Sequence, residues 1–202
     1  MYLARLTLNR SRTAVTWAAN PYRIHQRLMM AYDGDPRLLF RLEEADDGAR
    51  ILVQAHRAGD WDAAFSEFHV LAQAPEEKAV ELRLVAGQRY RFRLLANPTV
   101  KTKREDGTPT RQGLMREEDQ LAWLRRKLQE AGAEAEGCIV VPRGLQRSRK
   151  NPAVDPHLHT HYAVLFEGLL WVTDPVRLRE AVEKGIGSAK GYGFGLLSLG
   201  PG

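Results

Sequence analysis

Tyr22 and His25 stand three residues apart in the segment Asn20-Pro21-Tyr22-Arg23-Ile24-His25-Gln26-Arg27-Leu28-Met29-Met30-Ala31. An imidazole titrates near neutrality, so it can take or give a proton. A phenol or a guanidinium can hold a phosphate and offset the negative charge that grows on it. Together these groups suit cleavage of an RNA backbone. A 2′-hydroxyl loses its proton and attacks the adjacent phosphorus, and the departing 5′-oxygen gains a proton. The competing reading makes Tyr22 and His25 half-buried helix residues with satisfied hydrogen bonds, and a two-residue motif does not separate the two.

The elements around the pair decide how it is displayed. Asn20 reads as a helix cap and Pro21 as the first helical residue, where a missing N–H costs nothing. Ile24, Leu28 and Ala31 make an apolar core stripe, and Tyr22, His25 and Met29 make a second stripe rotated from it. Arg23 and Arg27 flank that second stripe with positive charge. Upstream, 2–8 alternates as a strand, and 9–19 is polar and irregular. Downstream, Asp33-Gly34-Asp35-Pro36 ends the helix. Strands follow over 38–43 and 50–55, joined by a turn at Asp46-Asp47-Gly48. Trp61, Phe65 and Phe68 fit a short helix packed on the core. Pro75-Glu76-Glu77-Lys78 suits a helical turn, and 88–95 is a strand with Arg89, Arg91 and Arg93 on one face. This completes βαββαβ, the ferredoxin-like order.

The second half repeats the pattern without repeating the sequence. A helix is expected over 116–131 and a strand over 138–141. A strand or strand pair is expected over 163–172, with Glu167-Gly168 as a possible turn. A helix then follows Asp174-Pro175, stops at Gly185, and leads to a strand over 194–199. The fold class expected is α+β, with two tandem ferredoxin-like (βαββαβ, RRM-like) domains. The N-terminal domain spans 1–98 and carries the helix with His25. A basic linker spans 99–114, and the C-terminal domain spans 115–202.

Bulk composition narrows the class. The chain has 202 residues and a formal charge of +5, which favours a polyanionic partner. Cys138 is the only cysteine, so no disulfide can form within the chain and a reducing compartment is expected. No apolar run nears the ~18 residues that span a membrane, and the start of the chain alternates instead of forming a signal peptide. The expectation is a soluble cytoplasmic protein without a membrane role.

Basic residues mark where RNA would lie. Arg143, Arg147, Arg149 and Lys150 crowd a stretch read as a hairpin tip, and Lys101, Lys103 and Arg104 crowd the linker. The run at 185–195 holds Gly185, Gly187, Gly191, Gly193 and Gly195 with Lys190 among them. It lacks both the P-loop signature and the dinucleotide fingerprint. Glycines there let backbone N–H groups or a neighbouring helix come close. His157, His159 and His161 alternate and would share a strand face. They have no cysteine pair or HExxH signature beside them, so neither metal nor cofactor is assigned. His56 and His69 lack any motif and read as structural.

The chain resembles the CasE-type CRISPR RNA endoribonucleases of the repeat-associated superfamily. Four features carry the likeness in order along the chain. They are the alternating N-terminal strand, Asn20-Pro21-Tyr22-x-x-His25, Arg91-Phe92-Arg93-Leu94-x-Ala96-Asn97-Pro98, and the glycine-rich 185–197 segment. The resemblance implies an endoribonuclease that binds the stem-loop of a CRISPR repeat and cuts at the 3′ base of the stem. It implies no metal, a 2′,3′-cyclic phosphate product, and retention of that product within the Cascade complex, with a monomer outside the complex. The family's catalytic histidine falls on His25 and its tyrosine on Tyr22. Its RNA-binding hairpin falls by position on Arg143, Arg147, Arg149 and Lys150. Some members carry a lysine one turn after the histidine. Met29 and Met30 stand there in this chain, leaving Arg23 or Arg27 to substitute. A non-catalytic RNA-binding subunit of a ribonucleoprotein is the alternative, and such a binder would not need Tyr22 and His25.

Overall fold

The computed structural model describes residues 1–45, 48–103, 105–150, 155 and 157–202. The turn expected at Asp46 and Asp47, and the role of Arg104, fall outside the described residues. The protein is α+β, with two four-stranded antiparallel sheets. Two compact units divide the chain. The first takes Met1–Leu82, Arg147–His159 and Lys190–Leu196; the second takes Arg83–Gln146, Thr160–Ala189 and Leu197–Gly202. Among the described residues, no helix is long and apolar enough to cross a membrane.

In the first unit, strand β1 (Tyr2–Leu8) is central. It pairs antiparallel with β3 (Gly48–Ala55) and with β4 (Glu76–Ala79), and β2 (Leu39–Ala45) pairs with β3. The sheet order is β2-β3-β1-β4. The β1–β3 register sets Ala4 opposite Val53 and Leu6 opposite Ile51, and all four side chains are buried. Helices α1 (Arg12–Ala18), α2 (Pro21–Met29) and α3 (Trp61–Phe65) contribute Ala14, Trp17, Ile24, Leu28 and Phe65 to the same core.

Two expectations in this unit are corrected. Helix α1 lies in the stretch read as irregular. Ser11 Oγ caps it by accepting from the Ala14 N–H at 3.2 Å, and Ala14 and Trp17, three apart, turn inward. The Pro75–Lys78 stretch is extended as β4, not helical. Its Glu76 faces Arg5 across the pairing, and their side chains meet at 2.5 Å.

The second unit holds β5 (Arg89–Ala96), a hairpin of β6 (Thr99–Lys103) and β7 (Pro109–Gly113), and α4 (Glu117–Glu130). It continues through most of β8 (Ala133–Arg149) and of β9 (Leu158–Val172), whose 147–149 and 158–159 ends belong to the first unit, and through α5 (Pro175–Lys184) and β10 (Leu197–Pro201). Its sheet order is β10-β5-β9-β8. Here Arg89–Ala96, read as the last strand of the first half, instead pairs with β9 and β10. The short β4 already fills that edge of the first sheet. The 99–114 stretch, read as a linker, forms the antiparallel β6–β7 pair. Its alternation was masked by its charge.

The core of this unit includes Phe92, Leu94, Leu124, Leu128, Phe166 and Leu178. On the outer side of β5, Arg93 meets Glu167 at 2.6 Å and Arg89 meets Glu136 at 2.9 Å. Strand β9 passes unbroken through Gly168, where a turn was expected. A Cβ there would stand 1.9 Å from the Gly137 carbonyl oxygen, so the glycine admits a neighbouring backbone and does not reverse the chain.

Candidate active site

Helix α2 starts with Pro21 at its first position, but Asn20 makes no side-chain cap. Its amide turns to the end of β8 instead. Asn20 Nδ2 donates to the Arg149 carbonyl at 2.9 Å, and Asn20 Oδ1 accepts from the Arg149 N–H at 3.3 Å. A side chain placed to cap the helix thus tethers the basic strand to it. Ile24, Leu28 and Ala31 are buried as the spacing predicts. With that stripe fixed in the core, Tyr22 and His25 emerge together and half-buried.

The imidazole has a built environment. It lies parallel to the Phe40 ring of β2, with centroids 6.1 Å apart and planes 8° apart. Tyr22 stands at 6.0 Å. Over it passes the 3-10 turn Lys190–Tyr192, in which a Cβ on Gly191 would lie 3.2 Å from His25 Cδ2 and 3.3 Å from Nε2. Tyr192 then packs on Tyr22 at 5.4 Å. Burial lowers the His25 pKa below 6.5, so the ring rests neutral at pH 7. His25 Nδ1 is buried and has no hydrogen-bond partner among the described residues.

The glycine segment is held from its other end. Gly193 has φ +87° and would place a Cβ 3.2 Å from the Phe40 ring. Arg41, 3% exposed, donates from Nη1 to the Leu196 carbonyl at 3.3 Å and from Nε to Glu43 Oε1 at 2.8 Å. Phe40 and the glycine turn therefore pack against the His25 ring, and Arg41 holds the exit of that turn.

Charge reaches this place through Lys150. Its Nζ lies 5.7 Å from the Tyr22 ring centroid and 3.4 Å from Asp155 Oδ2. Asp155 also receives His159 Nε2 at 2.7 Å, and the His159 ring lies 5.6 Å from Tyr192. Burial raises the Tyr192 pKa, so its phenol stays protonated at neutral pH. The group contains the neutral His25 imidazole, two phenols, and the Lys150 cation with the Asp155 carboxylate that it shares with His159.

The other expected residues divide between the units. Gly191 and Gly193 lie against His25 and Phe40, and Gly195 and Lys190, whose pKa burial lowers, belong to the same unit. Gly185 ends α5, and Gly187 admits the Trp123 ring, both in the second unit. Lys101 and Lys103 are exposed on β6, and Arg143 is exposed on β8. The 143–149 stretch continues β8 as extended strand. Arg147 and Arg149 are exposed at its end, in the first unit.

Arg23 is exposed. Arg27 lies over the Phe68 ring at 4.1 Å and donates to Met30 Sδ at 3.2 Å. His157, His159 and His161 do not act as one set. His157 is exposed, His159 binds Asp155, and His161 belongs to the second unit. Among the described residues no cluster of His, Cys, Asp and Glu could hold a metal ion. Phe40, Arg41, Asp155 and Tyr192 were not singled out by sequence reasoning. Of these four, Tyr192 left a signal, as an aromatic set between glycines in Gly191-Tyr192-Gly193, a setting that Phe194 shares in Gly193-Phe194-Gly195.

Comparison with known proteins agrees over the full length. The family described as CRISPR associated protein matches residues 1–201. The CRISPR-associated endoribonuclease Cse3 of Thermus thermophilus is 37% identical, and the Cascade subunit CasE of Escherichia coli is 32% identical. Each match covers 100% of both chains. Among solved structures, Cse3 bound to a 19-nucleotide RNA superposes with a TM-score of 0.87 at 34% identity, covering 100% of both chains. A CRISPR RNA-guided surveillance complex contains a chain with a TM-score of 0.73 at 25% identity, covering 98% of each.

Proposed function

The chain belongs to the CRISPR-associated protein family of the Cse3 and CasE endoribonucleases, and from that membership we propose that it cuts CRISPR repeat RNA. The substrate is the repeat stem-loop of precursor RNA, and the matured RNA stays bound as the protein joins Cascade. Both sheets are read as tandem ferredoxin-like units. β1-α2-β2-β3-α3-β4 and β5-α4-β8-β9-α5-β10 each run βαββαβ, and each sheet orders its strands fourth, first, third, second. The second unit then begins at β5, with the β6–β7 hairpin inserted before α4.

The observation that carries the reading is His25, neutral by burial, between Phe40 and Gly191, with Tyr22 beside it and Tyr192 and Lys150 against Tyr22. With hydrogen on the buried Nδ1, His25 Nε2 keeps a lone pair for the 2′-hydroxyl of the nucleotide before the cut. That oxygen gives its proton to Nε2 and bonds to phosphorus. The bond from phosphorus to the 5′-oxygen breaks, and that oxygen takes a proton from water, leaving a 2′,3′-cyclic phosphate and a 5′-hydroxyl. Tyr22 orients the phosphate, and Lys150 offsets the charge on its non-bridging oxygens. Lys150 takes the place of the lysine that some relatives carry one turn after the histidine. Arg27 is less suited, because its guanidinium is committed to Phe68 and Met30. No step calls for a metal.

The test is incubation with the host's repeat RNA in EDTA, followed by end-group analysis. A single cut at the 3′ base of the stem, ending in a cyclic phosphate, is expected. Binding without any cut would favour the RNA-binding subunit, and activity that returns only with added zinc would contradict the metal-free route.

A further inference from the structure

Helix α2 carries a third face. Arg23, Gln26, Arg27 and Met30 follow the i, i+3, i+4, i+7 spacing, about 100° around the helix from the face of Tyr22, His25 and Met29. With Trp17 of α1 they line an open hollow of about 450 Å³. That volume lies within the ~300–1,000 Å³ usual for small-ligand sites. Two guanidiniums and no acid line it.

The placement of Arg27 is unusual for a surface arginine. Its guanidinium lies 4.1 Å from the Phe68 centroid and 5.4 Å from the Trp17 centroid. Phe68 and Trp17 pack on each other at 5.2 Å, and Met30 Sδ accepts from Arg27 Nη1 at 3.2 Å. A guanidinium fixed in this way is a flat, positively charged plate, and plates of this kind stack nucleobases in single-stranded RNA. Gln26 adds an exposed amide that can read a base edge, and Arg23 adds an exposed cation for a phosphate.

We propose that this hollow binds a single-stranded nucleotide of the RNA next to the cut. The base stacks on the Arg27 guanidinium, which Trp17 and Phe68 hold in place, and its phosphate meets Arg23. The inference rests on the proposed RNA substrate and adds a site outside the stem. A nucleotide leaving the reaction face would need to move only one face around the same helix. The hollow therefore fixes the strand beside the scissile phosphate, which helps to line up the 2′-oxygen for attack.

The experiment uses the full chain and two RNAs, each with a 2′-deoxy nucleotide at the scissile position so that neither is cut. One is the bare stem-loop. The other adds three single-stranded nucleotides beyond the cut, with 2-aminopurine as the first. Wild type is expected to bind the flanked RNA at least fivefold more tightly, in line with the roughly five- to 150-fold effect of stacking one base. The 2-aminopurine fluorescence is expected to be quenched. Arg27→Ala and Arg23→Glu are expected to lose most of that gain and the quenching. Gln26→Ala, an exposed change that does not disturb the Trp17–Phe68 packing, guards against misfolding and is expected to lose part of it.

Equal binding of both RNAs by wild type would overturn the inference while leaving the nuclease reading intact. A loss of the same size on both RNAs in every variant would also overturn it, because the hollow would then serve the stem. So would unchanged RNA binding with loss of Cascade assembly, which would assign the hollow to an acidic protein partner. Failure of wild type to bind either RNA would instead defeat the proposed substrate.

Discussion

Gly191→Val tests the placement of the glycine turn over the imidazole. A Cβ at Gly191 would stand 3.2 Å from His25 Cδ2 and 3.3 Å from Nε2. Carbon atoms prefer about 3.5–4.0 Å, so alanine alone asks the ring to yield by a few tenths of an ångström. Valine adds two methyl groups to the same place and displaces the ring by about 1 Å. The ring cannot slide away freely, because Phe40 lies parallel beneath it. A misplacement of ~1 Å at a reacting group costs about 100-fold in rate. The expectation is a fall of a few-fold for Gly191→Ala and of about 100-fold for Gly191→Val. Stem-loop affinity should change little, and overpacking should cost ~1–3 kcal/mol of stability. Single-turnover cleavage with RNA-saturated protein separates rate from binding, and urea melts report stability. Full-rate cleavage by a folded Gly191→Val protein would refute the reasoning, since the turn could not then lie against a catalytic ring.

Other perturbations probe different links. Because burial lowers the His25 pKa below 6.5, the cleavage rate should rise with pH on a limb centred below 6.5 and stay flat from pH 7 to 8, as a single-turnover pH profile will show. The same shift acts on stability: the unfolded chain binds the proton more readily, so stability is full above about 6.5 and falls as pH drops toward the folded-state pKa. His25→Ala should remove that part of the acid sensitivity in urea melts. Charge reversal at Arg147 and Arg149 should weaken stem-loop binding and reduce the slope of log K against log salt by roughly two, and an unchanged slope would remove the end of β8 from the interface. Gly168→Ala should cost about 3 kcal/mol or more, or prevent folding, because its Cβ would collide with the Gly137 backbone; a melt like that of wild type would contradict the close strand approach.

Local chemistry made much of this protein readable from its residues. The Ile24, Leu28 and Ala31 stripe, the Asp174-Pro175 start of α5 and the alternation of β1 each follow from a few residues with one strong preference. Strand partnership was not readable. Arg89–Ala96 has the same alternating pattern whichever sheet it joins, and only long-range pairing with β9 and β10 sends it to the second unit. Charge also hid structure, as in α1 behind its Ser, Arg and Thr residues and in the β6–β7 hairpin behind its lysines. At the site, residue type and spacing singled out Tyr22 and His25. Phe40 and Gly191, which pack against the imidazole, are distant from it in sequence; Phe40 gave no signal, and Gly191 stood out only as part of the glycine run. Asn20 shows the limit most clearly. Its sequence position marks a helix cap, yet its amide reaches 129 residues along the chain to the Arg149 backbone.

The proton-transfer role proposed for His25 is tested most directly with His25→Ala and the repeat stem-loop in EDTA, at protein concentrations where both proteins saturate the RNA. The account predicts that the variant binds the stem-loop as wild type does and fails to cut it. Cutting by the variant at the wild-type rate would contradict the account.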